Sequence, residues 1–185
     1  MISGQAQNSF DQILKKSLTS VIAGSSGHFC EIVSLSGVGE IGEGEFAIFT
    51  ISSSVFRLLA LFHLNTDVSA KNFIATSASL DADLSDEAYR DVFLEFSNMC
   101  CGVVNRELLK YFPYIGMSTP YVLLNKCIPF LSEIAPGYIR HFRITIDHSV
   151  VLHVTFCICD YGDIHFDFKA DPPETVVETS ELELF

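Results

Sequence analysis

Residues 91–112, DVFLEFSNMCCGVVNRELLKYF, limit what this chain can fold into more than any other stretch. Read as a helix at about 100° per residue, they put Asp91, Glu95, Asn98, Gly102 and Asn105 on one narrow line. Val92, Phe93, Phe96, Met99, Cys100, Cys101, Val103, Val104 and Leu108 take most of the remaining circumference. A surface helix normally has the reverse pattern, an apolar stripe and a broad polar face. This one asks to be walled in on most sides with a single polar line left open. Gly102, in the middle of that line, costs a helix roughly 1 kcal/mol relative to Ala, and it lets a backbone or another surface come close. On pattern alone, the line also reads as a solvated strip on a buried helix, with Gly102 as a packing site.

Walling in such a helix takes a sizeable core. The 185 residues are 49% hydrophobic and only 18% charged, which suits one domain with a large interior. Sixteen Phe and no Trp point to a core built from phenyl rings. Apolar spacing predicts a helix over 8–23, stopped at Gly24, then strands over 29–35 and 45–51 around a Gly-rich turn. Ser52, Ser53 and Ser54 suggest a helix start, with a short helix over 54–64. Residues 65–84 are polar and less regular, and no structure is assigned to the whole of the stretch. Ser85 offers an N-cap, and Asp86 and Glu87 suit the positive end of a helix that runs to Phe112, before Pro113. A strand containing Pro120 is expected over 114–124. Then comes an antiparallel meander over 138–146, 150–159 and 164–168. In its middle strand Val150, Leu152, Val154, Phe156 and Ile158 share one face, and Val151, His153, Thr155, Cys157 and Cys159 share the other. The expected fold class is therefore α+β, two-layer, with helices packed on an antiparallel sheet. Residues 1–169 read as the domain and the acidic 170–185 as a flexible tail.

Asp and Glu outnumber Lys and Arg by 23 to 11, for a formal charge of −12. That argues against a nucleic-acid partner and against an anionic membrane surface. Charged and polar residues interrupt every apolar stretch, and the start lacks the order of a signal peptide, so the expected compartment is the cytoplasm. The six cysteines form no CxxC pair and the histidines are scattered, which reads as core thiols rather than a metal centre. Cys157 and Cys159, near His153 and His165 in the meander, are the nearest approach to a metal or thiol site.

A carboxylate and a carboxamide at i and i+3 point the same way from a helix. Glu95 can hold a cation such as a lysine. Asn98 can donate to an anion and accept from water at once. That pair suits orienting a water for in-line attack on a phosphoryl group, the task a glutamine performs in small GTPases.

At these residues the sequence resembles the CheC/CheX/FliY chemotaxis phosphatases. Their signature is Asp or Ser, three residues, Glu, two residues, Asn, and a Pro some twenty residues on. Here it stands as Asp91, Glu95, Asn98 and Pro120. NMCCGVVNREL follows the family's rhythm of Asn, small, Gly, small, Asn. IGMSTPYVL and GEGEFAIFTISSSVFRLLALF are similar to the family's flanking elements. The resemblance implies the CheC/CheX-like fold and a phosphatase acting on a phosphorylated CheY-like response regulator. Asn98 would orient the hydrolytic water beside the receiver's phospho-aspartate, and Glu95 would pair with the receiver's lysine. Asp91, Gly102 and Asn105 would face the partner, and Pro120 would be structural. The chain would bind no cofactor, with Mg²⁺ held by the receiver. A single ExxN implies a CheX-like protein and hence a homodimer joined through its sheets. The alternative is a non-catalytic relative that binds a response regulator or serves as a flagellar-switch module.

Overall fold

The structure is a computed structural model that describes residues 1–24, 27–80 and 84–169. Helix α1 (Gly4–Ala23) is capped by Ser3, whose side chain accepts from the Ala6 N–H at 3.2 Å. Strands β1 (Cys30–Leu35), β2 (Glu45–Ser52) and β3 (Phe56–His63) follow, then α2 (Val68–Ser77) and α3 (Asp86–Leu109). Two short strands, β4 (Gly116–Met117) and β5 (Tyr121–Leu124), lead into a 3-10 helix (Asn125–Ile134). Strands β6 (Tyr138–Ile146) and β7 (Val150–Asp160) close the sheet. The strand order is β1-β6-β7-β3-β2-β4, with β5 also on β2, and every strand pairing is antiparallel.

The three α-helices lie on one face of this sheet, as the α+β reading expected. Phe10, Ile13, Leu14, Leu18 and Ile22 of α1 meet Phe96, Cys100, Val104 and Leu108 of α3 in one core with the inner residues of the strands. In β7 those inner residues are Val150, Leu152, Val154, Phe156 and Ile158, all buried, as their alternation predicted. Phenyl rings interlock throughout this core, with Phe56 edge-on to both Phe10 and Phe112. The opposite face of the sheet carries a thin cover: Ile128 of the 3-10 helix buries Phe46, Ile48 and Leu61.

Several sequence expectations need correction. Residues 56–63 form a central strand, not a helix. Phe56, Leu58, Ala60 and Phe62 are buried on the helix side, while Leu61 and His63 are buried on the other. Where both faces are covered, as over 60–63, a strand reads as one apolar run without the alternation that marks a strand. Ser53 caps no helix. Its hydroxyl accepts from the N–H groups of Val55 and Phe56 in the β2–β3 turn. The polar stretch holds α2, whose Ala70, Phe73, Ile74 and Ala75 are buried. The strand expected over 114–124 is two short strands broken at Ser118–Pro120. Residues 164–168 do not extend the meander; Ile164 makes only an isolated bridge to Ile2. The acidic tail, 170–185, lies outside the described residues.

Candidate functional site

Helix α3 begins where the sequence placed it. The Ser85 side chain accepts from the Ala88 N–H at 3.2 Å, and Asp86 and Glu87 fill the first turn. Twenty-four residues make it about 36 Å long. Tyr89, Phe93, Phe96, Cys100, Cys101, Val104 and Leu108 are all 0–2% exposed. Ion pairs clamp both ends: Lys71 to Asp86 at 2.6 Å, Arg90 to Glu45 at 2.7 Å, and Lys16 to the buried Glu107 at 3.0 Å. With the helix fixed on three sides, its polar line is held outward.

Along that line Asp91 and Glu95 are exposed, and Asn98, Gly102 and Asn105 are half-buried. No described residue hydrogen-bonds or ion-pairs with the side chains of Asp91, Glu95 or Asn98. A Cβ built on Gly102 meets no described residue within 4 Å outside the helix's own turn, so the glycine admits no neighbour from the described chain. The Asn105 Oδ1 is buried and has no partner among the described residues. The five residues therefore share one line, but the open part is the stretch from Asp91 to Gly102.

A groove of about 360 Å³ runs beside the line. Leu94, Glu95 and Asn98 form one wall, and Ser118, Thr119 and Pro120 form the other. Pro120 thus stands across the groove from Asn98. The far wall is held in place by β2: Ser118 donates its N–H to the Thr50 carbonyl at 2.9 Å and accepts from the Thr50 N–H at 3.0 Å. A second hollow, about 280 Å³, lies on the other side, between Met99 and the end of α2 at Ser77 and Ala78. Asp91 and Glu95 line both, so Glu95 stands on a ridge between two depressions.

Sequence reading missed Ser118, Thr119 and Met99. Met99 was assigned to the buried surface but is 46% exposed. The projection itself carried the signal, since Met99 lies only about 40° from Glu95.

Chemically, the ridge offers an unpaired carboxylate and an unpaired carboxamide beside a groove open to a partner. Burial pushes Cys157 up to about 12 and pushes Cys100 and Cys101 well above the ordinary thiol range. No described cluster of three His, Cys, Asp or Glu is placed to hold a metal. Among the described residues no helix is long and apolar enough to cross a membrane.

These features define a two-layer α+β domain that displays a Glu–Asn pair on its longest helix. No protein-family model matches the chain, and no curated protein matches it in sequence. Solved structures do match in fold. The chemotaxis protein CheX of Vibrio vulnificus is similar over 80% of this chain and 98% of its own, at 16% identity and a TM-score of 0.62. CheX in a CheX–CheY–BeF3–Mg²⁺ complex from Borrelia burgdorferi is similar over 80% of this chain and 97% of its own, at 13% identity and a TM-score of 0.54. FliY of Thermotoga maritima is similar over 84% of this chain and 90% of its own, at 12% identity and a TM-score of 0.51. The chain has the fold of the CheC, CheX and FliY proteins.

Proposed function

We propose that this chain is a CheC/CheX/FliY-type phosphatase that hydrolyses the phospho-aspartate of a CheY-like response regulator. One observation carries the reading: Glu95 and Asn98 stand side by side, without a partner among the described residues, on the ridge of α3 in a fold shared with CheX. A carboxamide free of intramolecular bonds can accept from a water and donate to a phosphoryl oxygen together. Asn98 would hold that water in line with the phosphorus, which it attacks as the aspartate carboxylate leaves. Glu95, exposed and without a cation of its own, would pair with the receiver's lysine and fix the docking angle. The receiver brings the Mg²⁺ and most of the charge stabilisation, and this chain contributes positioning. The CheX–CheY complex among the similar structures supports a partner of this kind.

The test is loss of phosphate from a phosphorylated receiver with and without this protein. Asn98→Ala should abolish the acceleration and Glu95→Ala should weaken it by tenfold or more, in line with the roughly 10²–10³ lost when one positioned polar group is removed. Both side chains are free in the unbound chain, so both variants should keep wild-type stability. Wild-type activity in both would overturn the mechanism. Binding without acceleration would instead favour a non-catalytic response-regulator module.

The same reading implies a cytoplasmic protein and a homodimer formed through the sheet. Strands β1 and β5 lie at sheet edges, which present backbone groups for pairing. Light scattering coupled to size exclusion would read a dimer mass; a monomer at micromolar concentration would count against it.

A further inference from the structure

The face of β2 and β3 turned away from the α-helices changes character along its length. The antiparallel register sets Ile48 opposite Leu61, Thr50 opposite Leu59 and Ser52 opposite Arg57. Alternate residues of a strand face the same way, so this face runs from apolar, through hydroxyl-bearing, to cationic. The 3-10 helix buries the apolar end through Ile128, and its last residue, Ile134, reaches the groove's rim at Cys159. Beyond that cover lies a groove of about 700 Å³. Ile48, Leu59 and Met117 give it an apolar lining, Thr50, Ser52 and Tyr121 bring hydroxyls, and Arg57 brings the charge.

Two observations point to an anion with an apolar body. First, in a chain of net charge −12, Arg57 has no ion-pair partner among the described residues; its guanidinium sits 5.9 Å from the Tyr161 ring. Second, the hydroxyls of Thr50, Ser52 and Tyr121 bond to no described residue. The Ser118 Oγ, also in the groove, already accepts from the Thr50 N–H, which leaves its own O–H to donate. The groove therefore offers a cationic end at Arg57 and Ser52, and beyond it hydrocarbon from Leu59 and Ile48 flanked by the hydroxyl-bearing Thr50 and Tyr121. An inorganic anion would leave the hydrocarbon wet, and a purely apolar molecule would leave the donors unmet.

We propose that this groove binds a small amphipathic anion, with its carboxylate- or phosphate-type head on Arg57 and its hydrocarbon body along Leu59 toward Ile48. The inference does not depend on the phosphatase reading. Met117 and Ser118 line both this groove and the one in front of Asn98, so the occupant would lie behind the wall that faces the candidate site.

Calorimetric titration of the full chain tests it with three probes: octanoate for head and tail, octanol for tail alone, and inorganic phosphate for head alone. Hydrogen bonds to a charged group contribute about 1.5–3 kcal/mol. Arg57→Gln, an exposed position, should therefore weaken octanoate roughly ten- to hundredfold and leave octanol unchanged. Phosphate should bind more weakly than octanoate. The proposal is overturned if octanoate shows no saturable binding up to about 5 mM, if Arg57→Gln binds it as wild type does, or if phosphate binds as tightly as octanoate. A groove closed by a second copy of the chain would give the first of these results.

Discussion

At the scale of single residues, Gly102 separates what the fold needs from what a partner needs. Outside the helix's own turn, no described residue comes within 4 Å of a Cβ at this position, so packing among the described residues gains nothing from the missing side chain. The chain still carries the helix penalty of glycine. Gly102→Ala should therefore stabilise the free chain by about 0.5–1 kcal/mol, seen as a higher urea midpoint at unchanged slope. Under the phosphatase reading a larger side chain would act differently. Gly102→Leu should fold normally yet suppress receiver dephosphorylation, because it raises a new knob on the line of Glu95 and Asn98. Destabilisation by Gly102→Ala would mean that the glycine serves packing and would remove it from the proposed docking line.

At the scale of elements, α3 shows why part of the site is legible in sequence and part is not. Its start depends on three local residues: Ser85 caps the Ala88 N–H, and Asp86 and Glu87 face the helix dipole. Ser85→Ala should cost about 1 kcal/mol of stability, measured by chemical denaturation, without moving the helix. A helical period is likewise local, so the near wall of the groove, with Glu95 and Asn98, can be read from residues a few positions apart. The far wall cannot. Ser118, Thr119 and Pro120 stand opposite Asn98 only because β4 and β5 pair with β2, some seventy residues earlier in the chain. Strand β3 reads as a helix in sequence because Leu and Ala suit one and because Leu61 and His63 are buried on its outer face as well, which erases the period of two over its second half. Helix α2 was missed because Ser69, Asn72, Thr76 and Ser77 are weak helix formers and the Asp67 side chain makes no cap bond. It stands on the burial of Phe73 and Ile74, a tertiary effect.

At the scale of the whole molecule, the layer opposite the α-helices is tied down by a buried histidine network from which a loss of stability in acid is expected. Asn125 donates its Nδ2 to the Gly42 carbonyl at 2.7 Å, so its Oδ1 accepts from His63 Nδ1–H at 3.2 Å. His63 Nε2 then accepts from the Thr155 hydroxyl at 3.0 Å, and His141 Nδ1 donates to the same oxygen at 2.9 Å. The chain of bonds runs from the loop before β2, through the start of the 3-10 helix, to the centre of the sheet. It is built around a neutral His63. Burial lowers the His63 pKa from the ordinary 6.5 to about 4, and burial also lowers His141 and His153. Between those two pH values the unfolded chain takes up a proton that the folded chain refuses, so stability falls as pH falls from about 6.5 toward 4. His63 alone accounts for about 3 kcal/mol across that window, with a further loss in the same direction from the other two. Urea midpoints taken at unit steps from pH 7.5 to 4.5 should fall progressively below pH 6.5. His63→Asn, which keeps a polar atom near Asn125 and removes the titrating ring, should be less stable at pH 7.5 yet show a shallower acid slope. An equal slope in the variant would move the acid sensitivity from His63 to His141 and His153, because Asp86 and Asp147, whose pKa values are lowered, titrate below this window.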